Sequence, residues 1–88
     1  MKVLIIPDSF KGSLTAIEVA SEMEKAVRSI FPEASCTCMP FSDGGEGAIP
    51  VLEKHSLGKS INCPSTDGLR RPITAPYFFL NNSQSAWI

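Results

Sequence analysis

The sequence predicts an α/β fold: a parallel sheet with helices on its faces, followed by added antiparallel strands. Two observations carry this. The first is a pair of strand–loop–helix units in direct succession, over residues 2–31 and 34–55, the arrangement that builds parallel sheets. The second is a run of three more strand-like segments, 60–63, 73–80 and 85–88, joined by short turns. Eighty-eight residues suffice for one small domain, which buries only about 60–65% of its unfolded surface. The composition is that of an ordinary soluble protein, 43% hydrophobic and 19% charged.

Each element has its own signal. Lys2 to Ile6 is a continuous apolar run, the pattern of a strand covered on both faces. Asp8 to Leu14 is polar, holds Gly12 and two serines, and reads as a loop. A helix follows, opened by a Thr15–Glu18 capping box with Leu14 and Val19 at the staple positions. Ala16, Ala20, Met23, Val27 and Ile30 recur at helical spacing and give one apolar face, with Glu18, Glu22 and Lys25 opposite. Pro32 closes the helix after Phe31. Ala34 to Phe41 reads as the second strand and Ser42 to Gly47 as the second loop. A second helix is expected over about Ala48 to His55, with Gly58 as its C-terminal cap. Asp67-Gly68 and Asn81-Asn82 supply the turns between the later strands.

Several functions are disfavoured. A formal net charge of −1 gives no reason to expect nucleic acid or acidic lipid as a partner. The apolar run at residues 3–6 is too short for a signal segment or a membrane span. Cys36, Cys38 and Cys63 form no regular framework and fit reduced thiols in a cytoplasmic protein. Cys36 and Cys38 flank Thr37 in a strand and read as two small residues facing a core rather than as a metal site. Gly58-Lys59-Ser60 imitates the end of a phosphate-binding loop, but Glu53 stands where its first glycine belongs, and a strand follows instead of a helix. His55, the single histidine, sits at the polar end of a helix and reads as a surface residue.

Two loops remain as carriers of chemistry, and both follow strands of the parallel sheet, where open α/β folds bind ligands. Asp8-Ser9-Phe10-Lys11-Gly12-Ser13 offers a carboxylate, an ammonium and two hydroxyls just before a helix N-terminus. Such a set suits a phosphate or a small carboxylate; it also suits a solvated loop with Asp8 as turn former. Asp43-Gly44-Gly45-Glu46-Gly47 has three glycines in four positions, which let the backbone approach a ligand closely. Its two carboxylates can hold a magnesium ion, act as a base or accept bonds from a substrate hydroxyl. The competing reading makes Asp43 and Glu46 a capping box. Pro50 opposes that, because it would then fall seven residues into the helix, where proline costs ~3 kcal/mol. If the two strands are neighbours, the loops face one crevice.

At these loops the chain resembles a known family. Pro7-Asp8-Ser9-Phe10-Lys11-Gly12-Ser13-Leu14-Thr15-Ala16 with Glu18-Val19-Ala20 is similar to the opening signature of the bacterial-type glycerate kinases. Pro40-Phe41-Ser42-Asp43-Gly44-Gly45-Glu46-Gly47 resembles that family's other N-terminal hallmark, and Arg71-Pro72-Ile73-Thr74-Ala75 looks like the strand after its second helix. The resemblance implies an ATP- and Mg2+-dependent kinase acting on D-glycerate. It implies two α/β domains, one flavodoxin-like and one Rossmann-like, with the active site between them. Among the residues here it points to Lys11, Asp43 and Glu46 as catalytic, with Asp43 as a possible magnesium ligand. Asp8, Ser9, Ser13, Gly44 and Gly45 would bind substrate.

Three departures touch the second loop and the later turn. Ala48 stands where the family often has threonine, Pro50 where it has an ordinary helix former, and Thr66 to Arg71 where it has a stretch closer to D-P-L-G-R. The family's enzymes are about four times longer, and the chain stops on the apolar rise Ser85-Ala86-Trp87-Ile88. The expectation is therefore an N-terminal portion, inactive alone and prone to self-association. The rival expectation is a small non-catalytic α/β binding module or remnant gene product.

Overall fold

The computed structural model describes residues 1–82 and 84–88. The chain is mixed α/β and divides into two compact units, residues 1–51 and 52–88. In the first, β1 (Lys2–Ile5) and β2 (Ser35–Cys38) pair in parallel, with Val3 opposite Cys36 and Ile5 opposite Cys38. Those four side chains share the face that α1 (Ala16–Ile30) covers. Ile5 is buried with Ala16, Val19, Ala20 and Ala34, and the Cys38 thiol donates to the Ala20 carbonyl. The C-x-C pair thus does face the core, and all three cysteines are free thiols.

The other face of the pair is open. Leu4 is 58% exposed and Ile6 54%, so the apolar run of the first strand is covered on one side only, not on both as its composition predicts. The ladder runs past the assigned strand ends. The Met39 N–H donates to the Ile5 carbonyl and the Phe41 N–H to the Pro7 carbonyl. Pro40, buried between them, has no N–H for the ladder, and β2 ends short of the predicted Phe41.

α1 follows its capping signals closely. Thr15 is the N-cap, its hydroxyl accepts the Glu18 N–H, and the Glu18 carboxylate accepts the Thr15 N–H. The helix ends at Ile30 with Phe31 as C-cap, as Pro32 requires. The predicted apolar face is only half used. Its first turns are buried, but Met23 and Ile30 are exposed, the latter 72%. The two-stranded sheet is too narrow to cover a 15-residue helix.

α2 (Ala48–Lys54) starts after Gly47, which has φ +82°, and Pro50 falls in its first turn, where the missing N–H costs nothing. No capping box forms at Asp43. The helix closes through Ser56, in the left-handed conformation at φ 55°. The Ser56 N–H donates to Glu53 and the Leu57 N–H to Leu52. Gly58 is therefore not the cap. It begins β3, and a Cβ there would collide with the Phe79 carbonyl oxygen, so the glycine answers to close strand packing.

The second unit is an antiparallel sheet in the order β3 (Gly58–Thr66), β4 (Pro72–Leu80), β5 (Ala86–Trp87), around the fully buried Phe78. It is a sheet of its own, not an extension of the parallel pair. Its first turn is clamped by Asp67, whose carboxylate accepts the Leu69 and Arg71 N–H groups and pairs with the Arg71 guanidinium at 2.6 Å. Those bonds hold its pKa below the usual range, the Arg71 backbone bond contributing most. The left-handed residue of this turn is Arg70, at φ 62°, and not Gly68. No helix among the described residues is long and apolar enough to cross a membrane.

Candidate functional site

Parallel pairing of β1 and β2 carries both motif loops to the same end of the sheet, past the C-terminal ends of the strands. The Phe41-to-Pro7 ladder bond sets the two chains side by side where the loops begin. Just beyond this bond the loops are tied directly. The Asp43 N–H donates to Asp8 Oδ2 at 3.3 Å, while Asp8 Oδ1 accepts the Ser9 N–H at 2.6 Å. The expectation that the loops share one crevice requires this juxtaposition.

The first loop is a tight reversal. The Phe10 N–H donates to the Leu14 carbonyl, and the Phe10 carbonyl accepts from Ser13 and Leu14. Gly12, at φ +75°, makes the turn possible. The reversal presents Phe10, Lys11 and Ser13 outward, all exposed, immediately before the N-terminus of α1. The second loop is shaped by its own side chains. The Ser42 hydroxyl accepts the Gly44 N–H, and Asp43 Oδ1 accepts the Gly45 N–H at 3.0 Å. Gly44 takes φ +96°, and a Cβ on Gly45 would press on Asp43 Oδ1, so both glycines serve the fold of this turn.

Ser9, Lys11 and Ser13 line one open cleft of about 180 Å³ with Glu46. Lys11 and Glu46 make no ion pair among the described residues, so an ammonium and a carboxylate border the same space with neither neutralising the other. Asp8, Asp43, Gly44 and Gly45 do not line that cleft; they form the adjoining junction of the two loops. Gly47 of the second loop also lines the cleft, as do Phe10 and Thr15, to which the sequence assigns no role in the site. An aromatic in an otherwise polar loop was the available signal for Phe10. Thr15 looked fully accounted for as a helix cap.

Thr15, on the cleft wall, is bonded in turn to Glu18. The Glu18 carboxyl is held below the usual carboxylate range, chiefly by the Thr15 backbone N–H and then by its hydroxyl. No set of three His, Cys, Asp or Glu side chains converges as a metal cage among the described residues. Asp43 nevertheless supplies a hard carboxylate oxygen at the loop junction. Magnesium commonly takes one or two carboxylates together with phosphate oxygens, and a single loop carboxylate is compatible with that chemistry.

Comparison with known proteins bears on the whole chain. The model of the glycerate kinase family matches residues 3–88. A glycerate kinase of Haemophilus influenzae is 47% identical across all 88 residues, and a glycerate 2-kinase of Escherichia coli 36% identical. The crystal structure of a Salmonella typhimurium LT2 protein named as a glycerate kinase 2 superposes with a TM-score of 0.78 at 36% identity, covering 98% of this chain. The chain spans about a quarter of the length of these relatives, 23% in each case, and matches their N-terminal part.

Proposed function

The chain belongs to the glycerate kinase family, and on that premise we propose that it is the N-terminal portion of a two-domain, cytoplasmic kinase. That enzyme transfers the γ-phosphoryl group of ATP to a hydroxyl of D-glycerate. The observation that carries the reading is the meeting of the two motif loops, 35 residues apart in sequence, through the Asp43–Asp8 bond. It supports a shared site made of an ammonium, hydroxyls and carboxylates at the ligand-binding end of a parallel sheet.

Phosphoryl transfer leaves the protein little covalent work, so catalysis rests on positioning and on stabilising developing charge. Lys11 neutralises charge on the transferred group or on the glycerate carboxylate. Ser9 and Ser13 donate hydroxyl hydrogen bonds to anionic oxygens of the same ligand. Glu46, across the cleft from Lys11, accepts from a glycerate hydroxyl, and Gly44 and Gly45 let the backbone approach the substrate. Asp43 would hold magnesium, which would supply neutralisation of the phosphate charge when bound.

The test is an assay of the full-length protein with ATP, magnesium and D-glycerate. It should turn over, and Lys11→Ala should lower kcat/KM by about a hundredfold or more, as loss of one charge-stabilising group does. The 88-residue chain alone should show no turnover. A full-length protein inert toward glycerate, or indifferent to Lys11→Ala, would sink the assignment.

A further inference from the structure

We infer that Asp8 is a positioning residue that locks the second loop onto the first, rather than a ligand of substrate or metal. The inference rests on the kinase reading above. Its basis is the division of labour between the two Asp8 oxygens. Oδ1 is taken by the Ser9 N–H at 2.6 Å, within its own loop. Oδ2 is taken by the Asp43 N–H, across the junction. A carboxylate accepting one N–H on each oxygen has committed both oxygens, about half of its acceptor capacity, to orienting backbone.

The bonds continue from there. Asp43, held by its own N–H, uses Oδ1 to accept the Gly45 N–H, and Ser42 holds Gly44. Asp8, the Asp43 backbone, the Asp43 carboxylate and Gly45 thus form one connected series. The ladder bond from Phe41 to Pro7 delivers the two residues to each other but ends two residues short of Asp43. Among the described residues, Asp8 is the only side chain of the first loop bonded to the second. The loop that carries Asp43 and Glu46 has three glycines and little intrinsic rigidity, so an external anchor sets the aim of its carboxylates. Misplacement of reacting groups by about 1 Å can cost on the order of a hundredfold in rate.

The experiment compares Asp8→Ala, Asp8→Asn and Asp43→Asn, and the two double variants, in the full-length enzyme. Asp8→Ala should lower kcat by about tenfold or more, with KM for ATP and glycerate within about twofold of the parent. Asp8→Asn keeps one acceptor oxygen and should fall between parent and alanine. A metal or substrate ligand that needs its charge would make asparagine as damaging as alanine. In the Asp43→Asn background the Asp8 changes should lose most of their effect, because the group they position is already disabled. Amide hydrogen exchange gives an arm independent of activity: the Asp43 N–H should exchange faster in Asp8→Ala. A loss expressed mainly in KM, full additivity with Asp43→Asn, or unchanged exchange at Asp43 overturns the positioning role. An Asp43→Asn enzyme of parental activity instead overturns the site reading beneath it, so the two failures are distinguishable.

Discussion

At Asp43, the carboxylate closes a turn on the Gly45 N–H, and the helix that follows does not use it as a cap. Asparagine retains the oxygen that makes this turn and removes only the charge. If the charge serves magnesium or glycerate, Asp43→Asn in the full-length enzyme should lower kcat/KM about a hundredfold, some ~3 kcal/mol, with Tm within a few degrees. Normal activity would remove Asp43 from the site and leave Lys11 and Glu46. Pro50 made the rejection of the capping box legible beforehand, because proline has a position-specific cost in a helix. Other single residues were less transparent. Gly68 follows Asp67 as a hairpin signal, yet the turn takes its left-handed conformation at Arg70. Arg70→Gly should therefore stabilise the protein by roughly 0.5–1 kcal/mol. It relieves a left-handed penalty of about 1–2 kcal/mol, partly offset by the greater unfolded-state freedom of glycine. Gly68→Ala, with no atom near its added Cβ, should be neutral or slightly stabilising. Urea midpoints of the two variants check both; destabilisation by Arg70→Gly would show that the arginine side chain matters more than its backbone. Gly58 shows the complementary limit. It stood out in sequence as a helix terminator, whereas its constraint comes from Phe79 on a partner strand, which no local pattern reveals.

At the scale of elements, what local sequence determines is legible in it, and what partner strands determine is not. α1 has both ends written into it, and they appear where the capping box and Pro32 put them. The lengths of β2 and β3 missed, because β2 stops before Pro40 and β3 extends through Ser, Asn and Thr residues held by pairing to β4. The assembly of the later strands into a separate sheet carried no sequence signal at all. The capping box also has a pH consequence. Glu18 has its pKa lowered in the folded helix by Thr15, so its contribution is complete above the unfolded value of about 4.3. It disappears as pH falls through the lower, folded value. A peptide spanning residues 13–33 should lose helicity on acidification below about pH 4.5, and Glu18→Gln should remove part of that loss. The Glu24–Arg28 pair supplies another part, since Glu24 is likewise lowered, first by Arg28 and then by the Cys38 thiol. Thr15→Ala should reduce helicity at every pH, by the ~1 kcal/mol typical of a lost cap. Equal acid sensitivity in parent and Glu18→Gln peptides would assign the dependence elsewhere.

At the scale of the whole chain, the open face of the parallel pair decides how the 88 residues behave in isolation. Leu4 and Ile6 lie exposed on it, and Met39 and Phe41 continue the same alternation from β2, also exposed. Parallel strands with near-continuous apolar runs are normally covered on both faces, and here α1 covers one. The relatives are about four times longer, so they have chain with which to cover the second. A contiguous apolar stripe beside unpaired strand edges is a surface that other copies of the chain can cover instead. The isolated 88-residue chain should therefore self-associate. Sedimentation should show mass rising with concentration across the micromolar range, and thermal unfolding should shift with concentration rather than stay fixed. Leu4→Lys together with Ile6→Lys replaces the centre of the stripe with charge and leaves Ile5, on the covered face, untouched. That variant should move the population toward monomer without loss of helix α1, which far-ultraviolet circular dichroism can follow. If the parent chain instead sediments as a monomer and unfolds in one sharp, concentration-independent transition, the stripe is tolerated in water, and the two lysines should change nothing.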